Sequence, residues 1–151
     1  MLLAPRGAHL RCAGRLLTPS EAALVRRCAQ RLSRMAPGLP AVPGHGDVQP
    51  RNWLWDRNAR RLAMIDFERA EAAPAVRDLA RLAHGAWDGR PDLRKAFFTG
   101  YGRALTAVEE EALICFAALD ALSGLAWGTA NDDGEVVSRA RTTFARLLSP
   151  A

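Results

Sequence analysis

Apolar residues recur at helical spacing in five stretches of the chain and at strand spacing in one. The pattern therefore predicts a mainly α protein with a small β-hairpin. In the first stretch, Leu24, Val25, Cys28, Leu32 and Met35 share one face, with Arg26, Arg27, Gln30, Arg31 and Arg34 on the other. Thr18-Pro19-Ser20-Glu21 supplies an N-cap, a first-turn proline and a glutamate three residues after the cap. A helix is predicted over 19–36, stopped by Pro37-Gly38 and Pro40.

Further along, Val76, Leu79, Leu82, Ala83, Ala86 and Trp87 mark a second helix, and Leu93, Phe97, Phe98, Tyr101 and Leu105 a third. Thr106 and Glu109 repeat the capping-box spacing ahead of a stretch that is apolar nearly all round as far as Trp127, the predicted buried central helix. Val136, Val137, Ala140, Phe144, Leu147 and Leu148 make an amphipathic closing helix after the turn Asn131-Asp132-Asp133-Gly134. Trp53-Leu54-Trp55 and Arg61-Leu62-Ala63-Met64-Ile65 flank a polar connector, so a hairpin is predicted over 53–66. The turn formers between Val42 and Pro50 place 42–52 in a rigid loop. Residues 1–17 have no clear periodicity and read as an irregular segment before one helical unit, 18–151.

With 151 residues, 49% of them hydrophobic and 25% charged, the chain is in the range of one globular domain rather than a disordered segment. The formal charge is +5, and Lys95 is the only lysine among 21 Lys and Arg residues. The arginines are scattered rather than gathered in a run, and no nucleic-acid motif accompanies them, so no nucleic-acid partner is expected. Cys12, Cys28 and Cys115 form no CxxC pair, which argues against a disulfide framework or a zinc site and fits a reducing cytoplasm. The start, Met1 to Leu10, has no apolar stretch long enough for a signal-peptide core or a membrane span, so a cytoplasmic protein without a membrane partner is expected.

The chemistry concentrates in His45-Gly46-Asp47-Val48-Gln49-Pro50-Arg51-Asn52 and Ile65-Asp66-Phe67-Glu68. Phosphoryl transfer needs a carboxylate to orient an acceptor hydroxyl and oxygen ligands for magnesium on nucleotide phosphates. Asp47, Asn52 and Asp66 match those needs, and a hairpin over 53–66 returns Asp66 to the end from which Asn52 departs. Taken singly, each has a structural reading: His45 as a turn residue, Asp47 and Asn52 as loop formers, Asp66 as a strand-end cap and Asp78 as a helix surface charge.

Together, HGDVQPRN and IDFE resemble the HGDxxxxN loop and metal-binding strand end of the aminoglycoside phosphotransferase and choline kinase family, relatives of the protein kinases. The resemblance implies a protein-kinase-like α+β fold, Asp47 as catalytic aspartate, Asn52 and Asp66 as magnesium ligands, and His45 as loop support. Arg77-Asp78-Leu79-Ala80 is similar to the family's helix start, which makes Asp78 a brace of the loop. Gln49 and Arg51 stand where members often carry a histidine or other polar residue and a glycine. Gln49 faces either the phosphoryl group or the loop, Arg51 either phosphate or solvent, and Glu68 either substrate and metal or solvent.

In this superfamily an ATP-gripping sheet with a phosphate-pairing lysine normally precedes the loop, whereas the 44 residues before His45 contain no lysine and read as coil plus one helix. The expectation is therefore a helical C-terminal catalytic lobe without its N-terminal ATP lobe, a truncated phosphotransferase with little turnover alone. ATP and Mg2+ are the implied donor and cofactor, and the partner is a separate N-terminal lobe or a second copy of the chain. The acceptor implied is a hydroxyl of a small molecule, aminoglycoside-like or an amino alcohol. Candidate contacts are Asp120, which interrupts the central helix, the acids Glu109, Glu110, Glu111, Asp132 and Asp133, and Trp87 and Trp127 as stacking surfaces. The alternative is a kinase-like module that binds without turnover.

Overall fold

A computed structural model describes residues 15–149. In chain order the elements are α1 (Pro19–Met35), β1 (Ala41–Gly44), β2 (Trp53–Asp56), β3 (Arg61–Met64), β4 (Glu71–Pro74), α2 (Ala80–Ala83), α3 (Pro91–Tyr101), α4 (Ala107–Ala130) and α5 (Gly134–Leu148). Short 3-10 turns occupy Ala36–Gly38, Pro50–Asn52 and Ala75–Leu79. The chain divides into two compact units, one of residues 1–34 with 114–151 and one of residues 35–113.

The first unit is helical. Leu24 and Cys28 of α1, Cys115, Ala117, Ala118, Ala121, Leu122 and Leu125 of α4, and Ala140 and Phe144 of α5 are buried. Helix α4 is long and apolar enough to cross a membrane by length and composition, but more than half of its apolar window is buried inside the protein, as a core helix requires. At Gly128 a methyl group would lie 2.9 Å from Val137 Cγ2 and 3.0 Å from the Asp133 carbonyl, so the start of α5 approaches α4 closely there. Asp133 caps α5 by accepting from the Val136 N–H at 3.1 Å.

The capping box predicted for α1 forms: Thr18 N–H donates to Glu21 Oε2 at 2.7 Å and Glu21 N–H to Thr18 Oγ1 at 3.3 Å. From α5, Arg141 Nη1 donates to both oxygens of the same buried carboxylate, at 2.9 and 2.7 Å, while Nη2 reaches the Leu16 carbonyl at 2.7 Å. Burial pushes the Glu21 carboxyl up, but the Thr18 and Arg141 hydrogen bonds outweigh it and hold it below its ordinary 4.5. Such a group stabilises the fold above its unfolded value and loses that contribution as pH falls through the folded one. Arg141→Ala is expected to cost about 1–3 kcal/mol at neutral pH, because a buried carboxylate loses its cation while the arginine itself was partly solvated. In urea melts the gap from wild type should narrow on acidification below the ordinary glutamate range; equal midpoints at neutral pH would contradict this.

The second unit carries two antiparallel pairs. The predicted hairpin is β2 with β3, in register Trp53↔Met64 through Asp56↔Arg61. The other pair, β1 with β4, runs from Ala41↔Pro74 to Gly44↔Glu71, so residues 42–44, expected in the loop, form a strand instead. The stretch expected as one helix over 76–87 is a 3-10 turn followed by the single turn of α2. The chain then closes through Trp87 N–H on the Leu82 carbonyl at 2.8 Å. Trp87 is buried against Phe97 and Phe98 of α3 at ring separations of 5.0 and 5.5 Å, a core position rather than a stacking platform.

Thr106 and Glu109 form the second capping box, with Thr106 N–H on Glu109 Oε2 at 2.9 Å and Glu109 N–H on Thr106 Oγ1 at 3.2 Å. The Arg103 fork grips both Glu109 oxygens at 2.7 Å and takes that carboxyl down to about 2. Glu110 pairs with Arg94. Thr106→Ala should cost about 1 kcal/mol through loss of the cap.

Candidate functional site

The loop between β1 and the 3-10 turn Pro50–Asn52 is built around Asp78. Its two oxygens accept from consecutive backbone amides, Oδ2 from His45 N–H at 2.7 Å and Oδ1 from Gly46 N–H at 2.8 Å. The β1–β4 pairing brings Asp78 there, because β4 runs directly into the 3-10 turn that carries it. Gly46 has a positive φ of 79°, and a methyl group on it would fall 2.1 Å from the Arg69 carbonyl oxygen. Asp78→Ala would leave two amides without acceptors, at a cost of about 2–4 kcal/mol, with the loop released. Hydrogen exchange should then accelerate at His45 and Gly46; unchanged exchange would sink that assignment.

His45 ties the loop to the hairpin. Its Nδ1 accepts from Asp47 N–H at 3.3 Å, so the proton sits on Nε2, which donates to the Ile65 carbonyl at 2.9 Å. The imidazole is buried and packs 4.3 Å from the Phe67 ring. Ile65 N–H in turn donates to the Asn52 carbonyl at 3.0 Å, extending the hairpin ladder by one step. Asp66 follows at the same end, with a left-handed φ of 68°.

Asp47 lies at the centre, 4% exposed. Oδ2 accepts from Asn52 Nδ2 at 3.1 Å and from Arg51 Nη2 at 3.0 Å, while Oδ1 accepts from Gln49 Nε2 and from Arg81 Nη1. Asn52 Nδ2 also donates to the Asp47 carbonyl at 2.9 Å. Burial pushes the Asp47 carboxyl up, but the charge of Arg81 and the hydrogen bonds from Arg51 and Asn52 prevail and hold it below its ordinary 3.8. It is a carboxylate throughout the neutral range, suited to accepting a hydrogen bond rather than donating one.

Arg81 is the residue that sequence reading missed. It lies three positions after Asp78, so one helical step carries both onto the loop, and that spacing was the available signal. Gln49 is spent on Asp47, and Glu68 is exposed beside Arg69 Nε at 4.0 Å. Asp120 belongs to the other unit and is half-buried in α4. Trp127 is exposed on the same helix.

The donor set fits one hard cation that keeps much of its water. Both partners of Asn52 Nδ2 are acceptors, which fixes the amide and leaves Oδ1 as the free oxygen. Asp66 is exposed, and among the described residues no group holds its carboxylate. Among the described residues no three His, Cys, Asp or Glu side chains gather into a cage. One amide oxygen and one carboxylate suit Mg2+ shared with phosphate oxygens rather than a cation enclosed by protein. Around them the hairpin exposes an apolar surface: Leu54, Trp55, Leu62, Ile65 and Phe67 are each more than 40% accessible.

The loop thus holds a buried carboxylate, with Asn52 and Asp66 at the adjoining end of the hairpin. The sequence model of the phosphotransferase enzyme family matches residues 3–145, and the chain belongs to that family. The mainly α fold with its small antiparallel pairs is the kinase-like fold that this membership implies. No curated protein matches the chain.

Proposed function

We propose that the chain is the catalytic unit of an ATP-dependent, magnesium-requiring phosphotransferase acting on a hydroxyl of a small molecule. The observation that carries this reading is Asp47, a buried and ionised carboxylate at the end of a hairpin that returns Asp66 beside Asn52. Asp47 orients the acceptor hydroxyl. The hydroxyl oxygen forms a bond to the γ-phosphorus as the bond from phosphorus to the bridging oxygen of ADP breaks, and the hydroxyl proton passes to Asp47. A carboxylate with a lowered pKa is a weak base, which suits a loose transition state in which positioning outweighs proton abstraction. Asn52 and Asp66 hold Mg2+, which when bound neutralises charge on the phosphate oxygens. His45 and Asp78 keep the loop in place, and the exposed apolar hairpin surface suits the face of a purine.

The family resemblance suggests amino alcohols and aminoglycosides as acceptors, and the unit acts with a separate lobe or a second copy for full turnover. The test is magnesium titration of label transfer from γ-labelled ATP to a panel of hydroxyl acceptors. Asp66→Asn and Asn52→Ala are expected to raise the half-saturating magnesium concentration about tenfold, the first by removing a carboxylate charge and the second by removing an amide oxygen. Transfer that ignores magnesium, or variants that titrate like wild type, would refute the metal assignment.

A further inference from the structure

A carboxylate offers about four lone-pair sites. In Asp47 four donors take them, two on each oxygen: Gln49 and Arg81 on Oδ1, Asn52 and Arg51 on Oδ2. A base whose sites are all taken has none left for an acceptor hydroxyl, so one donor must yield. Gln49 and Asn52 are 9% and 4% exposed and belong to the loop's packed interior. The Arg81 side chain is 28% exposed and that of Arg51 is 61% exposed. Among the described residues Arg51 makes one hydrogen bond, to Asp47 Oδ2, and its Nε and Nη1 have no acceptor there. Arg51 is the donor that can leave at least cost.

Its departure has a chemical condition. An arginine leaving a buried carboxylate surrenders an ion pair, and a neutral hydroxyl returns a hydrogen bond to the carboxylate but not the opposite charge. A cationic acceptor adds repulsion between its charge and the two guanidinium groups. An acceptor with an anionic group beside its hydroxyl meets both needs: the anion takes the Arg51 fork and the hydroxyl takes the vacated site on Oδ2. Two of the acids that could serve a cationic acceptor in this unit are already engaged, Glu109 by Arg103 and Glu110 by Arg94.

We infer that Arg51 is an exchangeable gate on Asp47 and a specificity-determining residue, and that the acceptor is a hydroxy compound carrying a carboxylate or phosphate next to the reacting hydroxyl. This rests on the phosphotransferase reading for the hydroxyl's role, whereas anion selectivity at Arg51 can be measured without turnover. The shared chemistry is an oxyanion, which an acceptor and a nucleotide both carry, so the experiment separates the two.

Calorimetry with the whole chain compares the matched pair glycerate and glycerol, choline as a cation, and magnesium-ATP, for wild type, Arg51→Met and Arg51→Lys. Wild type is expected to bind glycerate at least tenfold tighter than glycerol or choline. Arg51→Met should weaken glycerate at least tenfold while leaving glycerol unchanged or tighter, because the Oδ2 site is now open; Arg51→Lys should recover part of the preference. ATP affinity should stay within about twofold. A general loosening of the loop would weaken all ligands together and would not reverse sign between the pair. Binding of choline in preference to glycerate, no glycerate binding, or a preference that survives Arg51→Met would overturn the inference. Loss of ATP affinity with glycerate preference intact would assign Arg51 to the nucleotide and overturn it as well. Label transfer in parallel keeps the two readings apart. Anion-selective binding without transfer to any acceptor removes the phosphotransferase reading alone, and transfer to choline but not glycerate removes the anion gate alone.

Discussion

Gly46→Ala is expected to abolish the site and to cost the fold about 3 kcal/mol or more. Two independent penalties combine. Gly46 adopts φ of 79°, a left-handed conformation that costs a residue with a Cβ about 1–2 kcal/mol. The added methyl would also meet the Arg69 carbonyl oxygen at 2.1 Å and its carbonyl carbon at 2.8 Å, so main chain rather than a flexible side-chain tip must move. Any shift of Gly46 lengthens its bond to Asp78 Oδ1 and drags Asp47, the next residue, away from Gln49, Asn52, Arg51 and Arg81. Denaturant melts should show the loss of stability, and hydrogen exchange should locate it in residues 44–52. A stability loss below about 1 kcal/mol would mean that the loop conformation is not the one described.

Asp47→Asn is expected to lower phosphoryl transfer by about 10³-fold, within the range that a positioned acid or base contributes. The substitution keeps the shape of the side chain but removes its charge. It also turns an NH2 toward donors, since every contact of the carboxylate is with an N–H: two arginines and two amides. A stability loss of about 1–3 kcal/mol accompanies it, because at least one buried donor loses its acceptor. The proposed metal ligands Asn52 Oδ1 and Asp66 are untouched, so magnesium-ATP affinity should stay within about threefold. Loss of transfer with retained nucleotide binding is the signature of a group that acts on the acceptor rather than on the nucleotide.

Local rules made much of the fold legible. The boxes at Thr18/Glu21 and Thr106/Glu109 and the cap at Asp133 are determined within four residues, and each forms. The hairpin was legible because Trp, Leu, Met and Ile cluster on either side of a polar turn. The pairing of β1 with β4 was not, since Ala-Val-Pro-Gly and Glu-Ala-Ala-Pro have little strand propensity and meet only through contacts some thirty residues apart. For the same reason the stretch after Pro74 reads as a helix: its apolar spacing is helical, but Asp78 is drawn into the loop's amides and the turn there tightens to 3-10. Of the site, the residues in the motif could be named, because identity and spacing are printed in the chain. Arg81 was harder to name, because apart from its spacing from Asp78 nothing local says that its guanidinium reaches a carboxylate 34 residues away.

That reach matters for function. Arg81 and Arg51 together make the aspartate a fixed anion, and a fixed anion positions a hydroxyl better than it removes a proton. On the proposed reading, the same grip would make an acceptor compete for a place on Asp47.

The most direct measurement is label transfer from γ-labelled ATP to a hydroxyl acceptor by wild type and Asp47→Asn, with magnesium-ATP binding measured on the same samples. A low, magnesium-dependent transfer is expected from wild type alone and its loss in the variant, with nucleotide binding preserved. Transfer that survives Asp47→Asn would contradict it.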